Sequence, residues 1–244
     1  MRCARKLPCV NLCDLSSNSI RRQPNDDTGN ETPSVGPGGE RRDVTGRPGA
    51  LLRHGIGAGR FGAAIIPASD VVIDERVRLK CVVPRCLRAG ETPYCPPHAL
   101  DLDLVRRALS RFSWAILFKC DVEPIEAYAP GSGASKADQR RVLSFHRKSG
   151  EVVCALERQA YKDGYHLAMG FGGGSCKDYL CQGLLCQFLD SGRCRFPHRA
   201  RPAMEAAGMD VIALVNEAGW ESYALLDDLS QIPCAITVGI VFIY

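Results

Sequence analysis

The amino-acid sequence predicts an α/β protein, a single mixed α/β domain with two cysteine-rich metal loops, preceded by a disordered N-terminal extension. Three observations carry that expectation. Apolar runs of strand length alternate with segments whose apolar residues recur every three or four positions, the two periods of sheet and helix. Between them stand two cysteine groups, Cys81-x4-Cys86-x8-Cys95 and Cys176-x4-Cys181-x4-Cys186-x7-Cys194. The first sixty or so residues share neither pattern.

Residues 1–62 contain Arg21-Arg22-Gln23-Pro24-Asn25-Asp26-Asp27 and Pro33-Ser34-Val35-Gly36-Pro37-Gly38-Gly39, with few aromatics. Such a segment buries too little apolar surface to offset its ordering entropy. Cys3, Cys9 and Cys13 within it read as incidental, with a metal knot on the three as the alternative. Residues 63–244 are expected to form the domain. Ala64-Ile65-Ile66 and then Val71 to Leu79 read as β-rich and deliver Cys81 at their end. Pro84, Gly90, Pro93, Pro96 and Pro97 make the following stretch, out to His98, a stiff loop.

Asp101 or Asp103 then caps a helix carrying Leu102, Val105 and Leu109, and Trp114 to Phe118 reads as a buried strand. Cys120 at its end reads as a small core hydrophobe. From Lys136 to Gly164 the apolar spacing predicts an amphipathic helix, or a pair broken at Gly150, with His146 and Cys154 on its buried face. Tyr165 to Met169 is a short strand leading into Gly170-Phe171-Gly172-Gly173-Gly174-Ser175-Cys176. Pro202 opens a short helix that Gly208 stops. Asp210 caps a helix from Val211 to Ala218, with Ile212, Leu214 and Val215 inward, and Val238 to Tyr244 is the last strand.

Composition narrows the function classes. Thirteen cysteines in a chain whose start lacks the apolar stretch of a secretory signal imply a reducing, cytoplasmic setting, where thiols ligate metals more often than they pair. No run of eighteen apolar residues exists, so no membrane is expected. Of the formal net charge of +4, the first 66 residues account for all, with ten Lys and Arg against six Asp and Glu. The remainder is balanced and carries no basic, aromatic-laced stripe, so no nucleic-acid partner is expected. Oligomeric state is not legible.

Four soft sulfurs converging from Cys176, Cys181, Cys186 and Cys194 select an iron–sulfur cluster or zinc over hard cations. Structural zinc sites draw on Cys-x2-Cys knuckles, which this chain lacks, whereas Cys-x4-Cys steps suit a 4Fe–4S cluster. The trio Cys81, Cys86 and Cys95 either ligates a further centre, open at one position or completed by His98, or packs near the first. Gly172-Gly173-Gly174 lets the backbone approach a metal centre or makes a plain turn. Arg193, Arg195, His198, Arg199 and Arg201 crowd the end of the second loop, where their charge offsets anionic thiolates or simply faces solvent.

The stretch from Ala68 to Cys81, Tyr94-Cys95-Pro96-Pro97-His98, the run Cys176 to Cys186, and Cys194-Arg195-Phe196-Pro197-His198 continuing to Val211 resemble a cysteine-rich family of predicted metal-binding proteins of bacteria and archaea. The resemblance runs from about Ile65 to the C-terminus, and its Cys-Pro-Pro-His and Cys-Arg-Phe-Pro motifs are its most specific part. It implies a cytoplasmic metal protein of iron–sulfur type, with Cys81, Cys86 and Cys95 as one ligand group and Cys176, Cys181, Cys186 and Cys194 as another.

The leading expectation is therefore a redox or electron-transfer protein with a redox partner protein. The alternative is a zinc-stabilised structural or protein-interaction module. A thiol enzyme fits less well, since no Cys-x2-Cys redox pair exists and no histidine has an evident carboxylate partner in sequence. No catalytic residue is assigned.

Overall fold

The computed structural model describes residues 61–123, 136–223 and 232–244, with backbone alone over 136–145. Cys3, Cys9 and Cys13 lie outside the described residues. Strand β1 (Phe61–Pro67) is followed by a 3-10 turn (Ala68–Asp70), helix α1 (Glu75–Val82), helix α2 (Leu102–Leu109) and strand β2 (Trp114–Asp121). Helix α3 (Lys136–Lys162) leads to β3 (Met169–Phe171), the short helices α4 (Cys176–Tyr179) and α5 (Gln187–Ser191), a 3-10 turn (Glu205–Ala207), α6 (Val211–Glu217) and β4 (Ile236–Ile243).

The four strands form one sheet in the order β1-β2-β4-β3, and every neighbouring pair is antiparallel. β2 and β4 are central and buried on both faces, which is why they read as nearly unbroken apolar runs. Alternate residues serve the two faces. Ile116, Phe118, Val241 and Ile243 pack against Val152, Val153, Leu156 and Ala160 of α3. Ala115, Leu117, Ile240 and Phe242 pack against Val105 and Leu109 of α2, Leu214 and Val215 of α6, and Met204 and Met209. The mixed α/β reading of one domain holds, and Cys120 is a core residue of β2.

Several elements differ from the sequence expectation. Glu75 to Val82 is helical, because Asp74 accepts from the Arg76 amide at 2.7 Å and starts a helix that the β-branched residues before it obscure. Gly150 leaves α3 unbroken; a Cβ there would lie 2.6 Å from the Tyr179 ring, so the glycine admits a neighbour. The short strand is Met169–Phe171, and Tyr165 to Ala168 forms the turn before it. Pro202 opens no helix, though Gly208 does end the 3-10 turn at φ 80°. Ile212 is 57% exposed and not inward.

Strand directions alternate, so β1 and β3 leave the sheet at opposite ends. The first cysteine group lies in the connection from β1 to β2 and the second in the connection from β3 to β4. The two connections nevertheless meet, with Arg88 of the first 2.6 Å from Asp178 of the second.

Candidate metal centre

The second group sits on an excursion whose two ends are tied at its base. Gly172 donates to the Pro202 carbonyl at 2.9 Å, and Met204 donates back to the Gly172 carbonyl at 3.0 Å. Glu157 of α3 grips both sides: Oε1 accepts from the Gly170 amide at 2.6 Å and from Arg201 Nε at 2.8 Å, and Oε2 lies 2.6 Å from the Arg201 guanidinium. The Ser175 hydroxyl accepts from the Lys177 amide, and Asp178 accepts from the Ser175 amide, a reciprocal cap that starts α4. Cys176 is the first residue of that helix and is buried.

Cys176, Cys181, Cys186 and Cys194 line one cavity of about 520 Å³, together with Tyr94 and His98. Burial pushes the Cys176 thiol up to about 12, and the neighbouring Cys95, Cys186, Cys181 and Cys194 add to that. Without metal this sulfur is a neutral thiol, so binding must displace a proton. Arg195 donates to the Leu185 carbonyl at 2.6 Å, and Arg201 is taken by Glu157; these two cations brace the loop and its base.

The first group starts on α1, a helix with no buried residue. Arg78 on α1 donates to the Ala206 carbonyl at 2.7 Å and to the Leu100 carbonyl, closing the loop behind His98. Cys81 is half-buried in the last turn, Cys86 is exposed, and Cys95 is buried. Burial raises the Cys81 thiol, with Cys86, Glu205 and Cys95 contributing further. Cys81 and Cys86 face another cavity, of about 360 Å³, which also takes in Glu205, His146 and Cys234.

The two groups meet. Cys95 Sγ lies 3.5 Å from Ser175 Oγ, next to Cys176. Arg88 of the first loop reaches Asp178 of α4 at 2.6 Å and Glu91 at 3.0 Å, and Lys177 lies 3.4 Å from Glu91. His98 borders the second group's cavity and not the one that Cys81 and Cys86 face. Among the described residues, no three His, Cys, Asp or Glu side chains stand together at the separations a single bound ion requires. The thiols are ranged around a cavity, and the donor set is chemically apt for a thiolate-bound metal.

His146 packs, half-buried, against Gly174, whose φ of 68° and missing Cβ make room for the ring; an added Cβ would fall 2.3 Å from Nδ1. Burial lowers the imidazole pKa, opposed by Asp178 and by a hydrogen bond to the Gly173 backbone. Cys154 is buried in α3, with its thiol directed at the Arg199 carbonyl at 3.5 Å. Sequence reasoning missed Asp178, Arg88, Glu205 and Cys234. Glu205 does leave a signal, being the one charge in the apolar run from Pro202 to Met209.

A family model described as predicted metal-binding protein (DUF2284) matches residues 64–242. The chain belongs to this family. Both cysteine groups of this predicted metal-binding protein fall inside the matched span, and Cys3, Cys9 and Cys13 fall outside it. No curated protein and no solved structure matches significantly. Among the described residues, no helix is long and apolar enough to cross a membrane.

Proposed function

We propose that this member of a predicted metal-binding family is a cytoplasmic redox or electron-transfer protein that holds a 4Fe–4S cluster on Cys176, Cys181, Cys186 and Cys194. The observation that carries this reading is the single cavity lined by all four thiols. A spread of sulfurs around a space suits a cluster, whose irons lie several ångströms apart. Such a cluster supplies one-electron chemistry when bound. Cys176 anchors the set from a capped, buried position, while Cys181, Cys186 and Cys194 arrive from a half-buried loop. Tyr94, Leu180 and Ala200 pack around Cys176 and Cys194, and Cys176 is thereby shielded from water. Cys81, Cys86 and Cys95 hold a second centre beside it, with Cys95 at the junction. A redox partner protein follows from this role, with neither nucleic acid nor membrane.

Anaerobic purification, a visible spectrum and metal analysis test the reading. The expected result is a brown protein with several irons per chain, and Cys181→Ser losing most of the cluster absorption. A colourless protein holding one or two zinc ions would instead establish a zinc-stabilised interaction module. Full absorption in Cys181→Ser would reject the quartet.

A further inference from the structure

We infer that a cleft beside α3 binds a nucleoside phosphate, with Arg158 and Arg199 on the phosphate and Tyr161 beside the base. None of the quartet or trio cysteines lines this cleft, so the site stands apart from the metal reading. Of the basic residues that follow Cys194, Arg195 is taken by the Leu185 carbonyl and Arg201 by Glu157, whereas His198 and Arg199 line the cleft without such a commitment. Pro197 and Ala200, which alternate with them, line the quartet's cavity instead. One short segment therefore separates the cleft from the thiols.

The cleft encloses about 630 Å³, within the range that small ligands occupy. Cys154 sets its two cations from a buried place on α3. The Cys154 carbonyl accepts from Arg158 Nε at 3.1 Å, and its thiol is directed at the Arg199 carbonyl at 3.5 Å, so one residue fixes the backbone or stem of both arginines. Both are exposed, and neither pairs with a carboxylate among the described residues. Arg201 also lines the cleft, but Glu157 cancels its charge through contacts of 2.8 and 2.7 Å. Glu151, exposed, is the other carboxylate of the lining. Arg158, Arg199 and Arg201 against Glu151 and Glu157 leave one positive charge in excess. His166 and His198 add ring nitrogens as further hydrogen-bonding groups.

A guanidinium presents N–H donors in a planar fork that matches the oxygens of a phosphate. Two such forks suit a group with three terminal oxygens, and a phosphate monoester carries three. Tyr161 lies one turn on from Arg158, on the same face of α3. It is 62% exposed, and the His166 ring lies 5.0 Å from its own. An open aromatic face beside a phosphate-binding pair is what a nucleoside phosphate requires, its base stacking on the ring. Every base has such a face, so the site carries no strong preference among them.

The test is isothermal titration calorimetry of the full chain with adenosine monophosphate, inorganic phosphate and adenosine. Adenosine monophosphate is expected to bind about tenfold more tightly than either of the others. Arg158→Gln and Arg199→Gln are each expected to weaken it about tenfold, the lower end of what a charged hydrogen bond contributes, because both groups are exposed. Tyr161→Ala is expected to weaken adenosine monophosphate about fivefold and to leave inorganic phosphate unchanged. Glu151→Gln removes a negative charge from the cleft and is expected to tighten binding about threefold, a gain that no damage to the fold produces. Arg193→Gln, at an exposed position outside the cleft, is expected to change nothing. No binding of adenosine monophosphate at millimolar concentration, equal affinity for inorganic phosphate, or weakening in Arg193→Gln as large as in the cleft variants overturns the inference. So does unchanged affinity in both Arg158→Gln and Arg199→Gln. If those two variants fail to fold, unchanged or weaker binding in Glu151→Gln decides against the site.

Discussion

The two cysteine groups stand on different foundations. The quartet's excursion begins and ends on Glu157, whose side chain is 9% exposed and which neutralises Arg201 inside the protein. Its first thiol lies in a capped helix under Tyr179, and that ring fills the space Gly150 leaves open. The trio departs from a helix without a buried residue, and Arg78 ties it down through neutral carbonyls alone. One loop is rooted in the core through Glu157, and the other leaves an exposed helix, tied by Arg78 to carbonyls and by ion pairs to its neighbour. The quartet's frame is therefore expected to persist without metal, while the trio depends on Arg88, Glu91 and Asp178 holding it to its neighbour.

Glu157→Ala tests the stronger foundation. Removing one partner of a buried ion pair leaves the other charge uncompensated, at a cost of about 3–5 kcal/mol. Here the Gly170 amide loses its acceptor as well. For a domain of this size the unfolding midpoint is expected to fall on the order of 10 °C, at about 2–4 °C per kcal/mol. Urea or thermal unfolding of the metal-free protein measures it. A loss below about 1 kcal/mol would place Glu157 among ordinary exposed pairs and remove the contrast between the loops.

Arg78→Met tests the weaker one. The methionine keeps much of the apolar stem and loses charged hydrogen bonds to Ala206 and Leu100, each class of bond contributing about 1.5–3 kcal/mol. Since Arg78 is only partly buried, a loss near the lower figure is expected. The more telling measurement is the alkylation rate of individual cysteines in metal-free protein, read by mass spectrometry. Cys81 and Cys86 are expected to react several-fold faster in the variant, with Cys176 unchanged. Equal acceleration at all three sites would show that Arg78 supports the whole fold and not the trio.

The same contrast explains what was legible in the sequence. β2 and β4 were readable because central strands leave an unbroken apolar record, and α2 and α6 because Asp101 and Asp210 are caps at the expected offset. The strand expected at Val71–Leu79 failed because Asp74, Glu75 and Arg76 start a helix whose faces stay exposed, so burial left no period to read. Thiol spacing marked both cysteine groups. Their meeting was invisible, since Arg88 and Asp178 are 90 residues apart and Cys95 and Ser175 are 80 apart. Such pairings are decided by how the connections cross the sheet. Glu205 belongs to the same class: its neighbour Ala206 is 128 residues from Arg78, the residue that brings it to Cys81.

The smallest expected effect concerns acid. The Arg76 guanidinium and amide beside Asp74 hold its carboxyl down to about 2, against an ordinary value of 3.8. A carboxyl whose folded pKa lies below its unfolded one stabilises the fold above the unfolded value and loses that contribution as pH falls through the folded value. The window for Asp74 is therefore pH 3.8 down to about 2. Both charges are solvent-accessible, so the effect on global stability is small and shrinks with salt. It is local to α1 and thus to the helix that carries Cys81. A nuclear magnetic resonance titration of the Asp74 carboxyl is expected to give its midpoint near 2, moving up towards 3.8 in Arg76→Ala. The amides of α1 are expected to lose exchange protection over that same window before those of α3 do. Simultaneous loss in both helices would mean that α1 is held by the core after all, and the distinction between a rooted and a tied loop would fall with it.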